Sequence, residues 1–381
     1  MSGSPFKSAP PRHRRRWRWG IAFAALVLVV TGCRSVGYYR QAAAGQWEIV
    51  SKRQSIEKIL HQPDTKPALR ARLELVLTLR QYAEHELKLK PDGHYTDYAD
   101  LGRRFVVWNV YAAPEFSLEP KKWWYPVVGS LKYRGFFHEA EARRYGDELA
   151  REGFDVYVGG VDAYSTLGFF KDPVLNTFIN HDASDLAELL FHELAHQRVF
   201  AKGDTDFNEA FATTVGEEGA RRWMTSRNDA AGRAKYELQL RRKDQFVALV
   251  MHARDQLKEV YGEESAHGPR MAEKPGSEQL VALKRASKRA VIDQLRRDYA
   301  KLKASWGDDD DYDRWFSRAL NNAHLNTVST YYNMVPALTR LLARNDGDLE
   351  KFYADCKALA RLTKEQRRVE LETILVQRGV R

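Results

Sequence analysis

The sequence contains very little cysteine, and this scarcity excludes several classes of protein. Among 381 residues only Cys33 and Cys356 occur. Two cysteines cannot build a multi-disulfide scaffold, and they cannot form a zinc site or an iron–sulfur cluster held by four thiolates. With 44% hydrophobic and 12% aromatic residues, the composition is instead that of a folded protein with a sizeable core.

Acidic residues are absent from the first 32 positions, which hold six of the 61 basic residues. The remaining chain has 55 basic against 51 acidic residues, so its net charge is +4 where the whole sequence has +10. The basic character therefore belongs mostly to the N-terminal segment. Without a basic patch interleaved with aromatics in the rest of the chain, we expect no nucleic-acid partner.

Long hydrophobic runs are also missing. The apolar run Ile21–Val30 has ten residues and follows the cationic stretch Arg12–Arg18. As a helix it would span roughly 15 Å, about half of a bilayer core, which favours a signal peptide over residues 1–32. A retained single anchor over residues 17–32 is the alternative.

The residues that follow this run, Val30-Thr31-Gly32-Cys33, resemble the bacterial lipobox. The resemblance implies that Cys33 is diacylated on sulfur and becomes the new N-terminus, which would anchor the protein stably in a membrane. A chance cysteine after an ordinary signal is the alternative. Arg34 at the second mature position implies the outer membrane, facing the periplasm. Arg14-Arg15 leaves the choice between Sec and Tat export open.

Hydrophobic spacing divides the mature chain into three parts and predicts an α+β fold. Residues 33–98 show apolar intervals of three and four, broken by HQPDTKP, which predicts an N-terminal helical hairpin. Residues 99–220 combine β-branched and aromatic runs with a helix over 139–152 and a strand over 154–161, which predicts a small mixed sheet and then a helix pair. Residues 221–381 are predicted to be mainly helical and to complete the cleft, with exposed loops near 262–278 and 308–311.

The strongest motif is H-E-x-x-H at His192, Glu193 and His196, in a segment that is independently predicted to be helical. Residues four apart lie on one helix face, so both imidazoles can bind one metal ion while Glu193 projects beside them. Two histidines on a solvated helix face are the competing interpretation. The motif predicts a zinc site, which must keep an open position for water if it is catalytic.

The third protein ligand is predicted to be Glu209. Gly203 is suited to end the first helix, and the residues after it can begin a second one. If the two helices are antiparallel neighbours, His196 and Glu209 lie at similar heights, about 9 Å and 7 Å from the turn. A capping box, Asp206-x-x-Glu209, is the competing interpretation. The rival carboxylates are Asp204, Asp206, Glu217 and Glu218.

The predicted zinc site and the neighbouring Glu193 together predict peptide hydrolysis. Zinc polarises a scissile carbonyl and lowers the pKa of bound water, and Glu193 can pass the proton of that water to the leaving amine. The oxyanion needs a further donor. The C-terminal helical part offers Tyr331, Tyr332 and His324, each of which could instead be a packing residue.

H-E-x-x-H followed by Glu209-Ala210-Phe211-Ala212 resembles the gluzincin metallopeptidases. A wider set of phrases resembles a bacterial family of zinc aminopeptidases that are often predicted lipoproteins. The phrases span residues 99–345 and include VVWNVYAAPEFSLEP, WWYPVVGSLKYRGFF, DVYVGGVDAYSTLGFFKDPVL, DTDFNEAFATTVGEEG and LNNAHLNTVSTYYNMVPAL. The resemblance implies a gluzincin-like fold whose small mixed sheet packs on the H-E-x-x-H helix. It also implies one zinc ion on His192, His196 and Glu209, Glu193 as the catalytic base, and Tyr331 as the catalytic tyrosine.

By the same resemblance, AYSTLGFFKDPVL is an edge strand that pairs with extended substrate. Its expected substrate-binding residues are Tyr164, Ser165, Thr166, Leu167 and Gly168. Two features depart from the family pattern: Trp124 and Ser130 stand in a region where cysteines are common, and the amine-binding G-x-M-x-N element is absent. We therefore expect Glu217, or else Glu218 or Asp162, to hold the substrate α-ammonium.

The expected function is that of a zinc aminopeptidase acting on short peptides at the periplasmic face of the outer membrane. One alternative is an endopeptidase that trims misassembled envelope proteins with the same metal site. The other is a lipoprotein whose zinc-bound helix pair is structural and whose role is to bind a partner. Oligomeric state and side-chain preference stay open.

Overall fold

The computed structural model describes residues 36–125, 129–163, 171–262, 278–307, 309–332 and 334–376, with the exception of the side chains of residues 329–332. The chain divides into two compact units, Met1–Ser51 and Lys52–Arg381. In the first unit the described part is a helix, α1, over residues 36–51. The predicted signal peptide and Cys33 lie outside the described residues.

The second unit is an α+β structure in which helices dominate, as the sequence predicts. Its described strands are short: β1 Gln54–Ser55, β2 Asp97–Ala99, β3 Val107–Pro114, β4 Trp123–Tyr125, β5 Gly129–Leu131, β6 Arg134–Phe136, β7 Phe154–Val161 and β8 Val174–Leu175. The described helices are α2 Ile56–His61, α3 Pro67–His85, α4 Glu139–Arg151, α5 Ala183–Ala195, α6 Thr205–Ser226, α7 Ala230–Tyr261, α8 Glu278–Ser305, α9 Asp313–Phe316, α10 Asn322–Tyr332, α11 Val335–Arg344, α12 Leu349–Arg361 and α13 Lys364–Val376. No helix in these described ranges is both long enough and apolar enough to cross a membrane.

The main sheet has the antiparallel order β6-β3-β7. Strand β7 has the bounds that the β-branched pattern predicts. Because successive side chains on a strand point to opposite faces, β7 contacts a different helix on each side. Val156 and Val158 meet Gly146 of α4, whereas Tyr157 stacks on His324 of α10 at 4.1 Å.

The predicted packing of a mixed sheet on the H-E-x-x-H helix differs from the contacts in the structure. The antiparallel sheet packs mainly on α4 and α10, whereas α5, which carries the motif, packs most extensively on α6. Among the described strands, only the smaller sheet β1-β2-β8 combines a parallel strand pair with an antiparallel one. The family resemblance implied sheet-on-helix packing, whereas the buried face of α5 lies mainly against α6.

The N-terminal helical hairpin also differs from the prediction. The helical pattern before HQPDTKP is interrupted at residues 52–55, where Gln54 and Ser55 pair with Tyr98 and Asp97 as strand β1. An ion pair between Arg53 and Asp97 at 2.8 Å supports this pairing. The compact units separate at the same interruption, so the helices on either side are not one element.

Helix α6 lies in the core of the second unit and packs on α5, α7, α10 and α11. Its first half is buried on nearly all sides, including Phe207, Ala210 and Phe211. The preceding helix α5 ends at Ala195, well before the predicted end at Gly203. Residues 196–204 form a loop that Asn208 holds in place through two hydrogen bonds with the backbone of Ala201, at 2.7 and 2.9 Å.

The C-terminal helix α13 anchors the start of α6. The guanidinium of Arg367 pairs with the carboxylate of Asp204, the N-cap of α6, and both side chains are at most 3% exposed. Arg367 also donates to the backbone carbonyls of Leu359 and Leu362. Cys356 of the neighbouring helix α12 is fully buried, and burial raises the pKa of its thiol.

We predict that Arg367→Ala lowers the free energy of unfolding by about 3 kcal/mol, because it leaves the buried carboxylate of Asp204 without its main partner. Lys364, 3.2 Å from Asp204, compensates only in part. Urea unfolding of the purified protein measures the change. Arg368→Ala, at the exposed neighbouring position, is the control and should change stability by less than about 0.5 kcal/mol. Equal effects of the two substitutions would contradict the anchoring role of Arg367.

Candidate metal centre

Two imidazoles and one carboxylate converge where α5 ends and α6 begins. His192 lies in the last turn of α5, and His196 is its C-cap. Glu209 lies in the second turn of α6. The Nε2 atoms of His192 and His196 are 3.4 and 3.9 Å from Oε2 of Glu209. The three candidate ligand atoms all lie within 4.8 Å of one another, the spacing of a set that could hold one metal ion.

Each rival carboxylate for the third position pairs with a cation elsewhere. Asp204 pairs with Arg367, and Asp206 pairs with Lys132 at 2.5 Å. The remaining two lie further along α6: Glu217 pairs with Lys243 at 2.7 Å, and Glu218 with Arg222 at 2.8 Å. The capping-box interpretation of Glu209 is wrong, because the N-cap of α6 is Asp204, whose carboxylate accepts from the backbone N–H of Phe207.

The protonation equilibria of the triad are strongly perturbed. Burial lowers the pKa of His196 to about 4. This imidazole is therefore neutral near pH 7, with one of its two ring nitrogens unprotonated. Burial also acts to lower the pKa of His192, but the hydrogen bond to Glu209 and the charges of Glu193, Glu209 and Glu188 outweigh it and raise that pKa. Burial acts to raise the pKa of Glu209, whereas the two imidazoles lower it by more, so Glu209 is ionised.

Glu193 is placed for acid–base chemistry. Burial raises the pKa of its carboxyl to about 7, and the charges of Glu209 and Asp172 add to this effect while His192 opposes it. A group with this pKa can both accept and donate a proton at neutral pH. Tyr95 is an unpredicted neighbour: burial, then the charges of Glu193 and Asp172, raise the pKa of its phenol. Its backbone is in the left-handed region at φ 57°, an unusual conformation for an aromatic residue.

A cavity of about 540 Å³ opens beside the triad. His192 and Glu193 line one end of it. Most of the rest of its wall comes from α5 and α7, including Asp185, Glu188, Tyr236 and Lys243, and Thr213, Asp311 and Tyr312 complete it. Asp185 and Glu188 precede His192 by seven and four residues, a spacing that would have identified them in the sequence as members of one helix face. No local pattern indicated the α7 residues, which reach the cavity only through tertiary packing.

Other predicted site residues are placed as follows. The predicted substrate-binding residues Tyr164 to Gly168 lie outside the described residues. Tyr331 lies in the last turns of α10, where the side chains of residues 329–332 are not described. His324 of the same helix is fully buried between the rings of Tyr157 and Trp315, at 4.1 and 4.4 Å, and does not line the cavity. The structure therefore contradicts a role for His324 as an oxyanion donor.

The model of a family described as "Putative aminopeptidase" matches residues 37–371. The chain belongs to this family. No curated protein and no solved structure matched it.

Within this aminopeptidase family member, the carboxylates expected to hold a substrate α-ammonium are already paired. Glu217 pairs with Lys243 and Glu218 with Arg221 and Arg222. Asp162 lies 3.4 Å from Nε2 of His181 and raises the pKa of that imidazole through a hydrogen bond. The carboxylates that line the cavity are instead Asp185 and Glu188 of α5, together with Asp311 and Glu193.

Gly216 allows α5 and α6 to approach closely enough for Glu209 to meet the histidines. A Cβ atom at Gly216 would lie 2.8 Å from the carbonyl oxygen of Glu188 and 3.2 Å from Cβ of His192. The first of these is a backbone atom, so it cannot move without shifting α5.

We predict that Gly216→Ala lowers the free energy of unfolding by about 1–3 kcal/mol, because the added methyl group overpacks the helix contact. Thermal unfolding measures the change. Thr225→Ala, at an exposed position of the same helix, is the control and should have an effect below about 0.5 kcal/mol. An unchanged or higher stability of Gly216→Ala would show that the helices do not approach as described.

Proposed function

We propose that the protein is a zinc-dependent aminopeptidase in which His192, His196 and Glu209 hold one zinc ion and Glu193 is the general base. The observation that carries this proposal is the convergence of two imidazoles and a carboxylate within 4.8 Å, directly beside Glu193. Membership of the aminopeptidase family supports the same reaction class.

The residues fit a zinc ion by the chemistry of their donor atoms. Zinc binds imidazole nitrogen and carboxylate oxygen at about 2.0–2.2 Å, so tetrahedral ligands lie roughly 3.4 Å apart. The Nε2–Oε2 separations of 3.4 and 3.9 Å are close to this value. Two histidines and one glutamate are also the protein ligands of known catalytic sites that leave a fourth position open. When bound, zinc would supply a Lewis acid that polarises the scissile carbonyl and acidifies water.

The chain's own contribution to hydrolysis is proton transfer and orientation. Glu193 follows His192 in α5 and lines the cavity at the same end. Its carboxylate accepts a proton from the attacking water and then donates that proton to the nitrogen of the leaving amine. A pKa near neutrality suits both steps, because the group must gain and lose the same proton in one turnover.

Three further assignments belong to the proposal. We assign Tyr331 of α10 as the donor that stabilises the oxyanion, and Tyr164, Ser165, Thr166, Leu167 and Gly168 as the segment that pairs with extended substrate, both from the family resemblance. Glu217 contributes through Lys243, whose ammonium lies between Glu217 and the cavity residue Glu188 at 2.7 and 3.3 Å. Glu217 thus acts on the cavity wall and does not contact the substrate directly.

The metal assignment predicts that the full chain binds close to one zinc ion. His192→Ala and Glu209→Ala should lose both zinc and hydrolysis of aminoacyl p-nitroanilides, whereas Glu193→Gln should keep zinc and lose roughly 10²–10⁴-fold in kcat. Elemental analysis and kinetics on the same preparations separate the two effects. Wild-type activity in Glu193→Gln would contradict the mechanism. A zinc-loaded chain that cleaves N-acetylated peptides as well as free ones would be an endopeptidase, and one that cleaves neither would fit the structural role.

We also propose that Cys33 carries the lipid that anchors the protein in the bacterial envelope, with the catalytic unit in the periplasm. We predict that Cys33→Ser abolishes incorporation of labelled palmitate, because it removes the sulfur atom that would be acylated. Cys356→Ser, which removes the buried cysteine, is the matched control and should keep the label. Unchanged labelling of Cys33→Ser would show that the anchor is elsewhere.

A further inference from the structure

One face of α5 carries carboxylates in line with the candidate metal ligands. Asp185, Glu188 and His192 follow at intervals of three and four residues, and all three line the cavity. At a rise of 1.5 Å per residue, Glu188 lies about 6 Å and Asp185 about 10 Å along the helix from His192. The cavity thus continues from the proposed reaction centre to an acidic end.

Negative charge prevails at this end. Glu188 accepts a hydrogen bond from the hydroxyl of Tyr236 at 2.5 Å and lies 3.3 Å from Lys243. Lys243 is itself shared with Glu217, so two carboxylates face one ammonium. Within the described ranges, no Lys or Arg side chain pairs with Asp185, which is partly buried and whose pKa burial and the charge of Glu188 raise. A substrate cation at this end would meet a carboxylate whose described contacts are a 3.5 Å hydrogen bond from the hydroxyl of Ser184 and the charges of His181 and Lys235.

One neutral polar group of the wall also lacks a partner. Oε1 of Gln239 on α7 lines the cavity and is buried with no hydrogen-bond partner among the described residues. Thr213 of α6, only 5% exposed, is a further polar residue of the wall. Buried polar groups without partners are uncommon in a folded protein, and they point to a ligand. The carboxylates and Oε1 of Gln239 are acceptors, so that ligand is rich in N–H donors.

Part of the remaining wall is apolar. Leu189, Leu240 and Tyr312 line the same cavity, together with Asp311. A slot with an apolar wall and an acidic end complements a side chain with an aliphatic stem and a cationic head, as in Lys and Arg. A bare α-ammonium would not need the apolar wall.

The distance from the scissile bond distinguishes the α-ammonium from the cationic head of a Lys or Arg side chain. The α-nitrogen of a residue lies about 2.5 Å from its own carbonyl carbon, which must sit at the triad. It therefore stays close to His192 and does not extend to Asp185. The head of an extended Lys or Arg side chain lies about 6 Å from its Cα, which is enough to bring it to the acidic end.

We propose that Asp185, assisted by Glu188, binds the cationic side chain of a Lys or Arg residue next to the scissile bond, and so selects basic peptides. This inference rests on the proposed function, since it places the scissile bond at the triad. It assigns Asp185 a role in specificity and none in the chemical step.

The zinc-loaded full chain tests this with p-nitroanilides of Lys, Arg, Leu and Ala. We expect kcat/KM for Lys and Arg to exceed that for Leu by at least about tenfold, the effect of one hydrogen-bonded ion pair. Asp185→Asn should abolish this preference and leave kcat/KM for Leu within about twofold of wild type. Asp185→Glu, which keeps the charge, should retain the preference. Asp182→Asn is the comparison: Asp182 is exposed, lies one turn earlier and pairs with Lys235, whose charge also acts on Asp185, so this substitution should keep the preference.

Binding without turnover separates this inference from the proposed function. Titration calorimetry on zinc-loaded Glu193→Gln compares lysinamide with leucinamide, which share the α-ammonium and differ only in the side chain. We expect tighter binding of lysinamide, and loss of the difference when Asp185→Asn is added. If wild type cleaves nothing but lysinamide still binds preferentially, the proposed function fails and the subsite stands. Equal affinities for lysinamide and leucinamide would overturn the subsite. An equal loss of affinity for both ligands in Asp185→Asn would also overturn it, because Asp185 would then bind the α-ammonium.

Discussion

The contact between α5 and α6 is the constraint on which the candidate site depends. His192 and His196 come from one helix and Glu209 from the other, so the donor set exists only while the two helices lie side by side. Gly216 lets their backbones approach, and the buried pair of Asp204 with Arg367 holds the start of α6. A change in either feature would move Glu209 relative to the imidazoles.

Charge pairing explains why Glu209, among the carboxylates of α6, is the one available to a metal. Asp204, Asp206, Glu217 and Glu218 each have a Lys or Arg partner, and each partner comes from another segment or from a neighbouring turn. Glu209 faces two imidazoles, one of which is held neutral by burial. The two imidazoles lower the pKa of this buried carboxylate by more than burial raises it, so Glu209 carries a negative charge that a cation among the three groups would balance.

The carboxylates that line the cavity also differ in whether a described Lys or Arg side chain pairs with them. Helix α7 brings Tyr236 and Lys243 to Glu188, which orients that carboxylate and balances part of its charge. Asp185, one turn away on α5, has no such partner among the described residues. The cavity is therefore asymmetric, with His192 and Glu193 at one end and Asp185 and Glu188 at the other. This asymmetry is the basis of the proposed subsite for a basic side chain.

The sequence by itself determined the α+β class, the strand at Phe154–Val161, the helix that carries H-E-x-x-H, and Glu209 as the ligand candidate. These features rest on local spacing, which chain geometry translates directly into faces of helices and strands. The end of α5, the break of the N-terminal helix at residues 52–55 and the helices that cover the sheet were decided by pairings with distant segments. So were the pairing of Glu217, the burial of His324 and the approach of α7 to the cavity. Spacing shows which residues share a face, but only tertiary packing decides what that face meets.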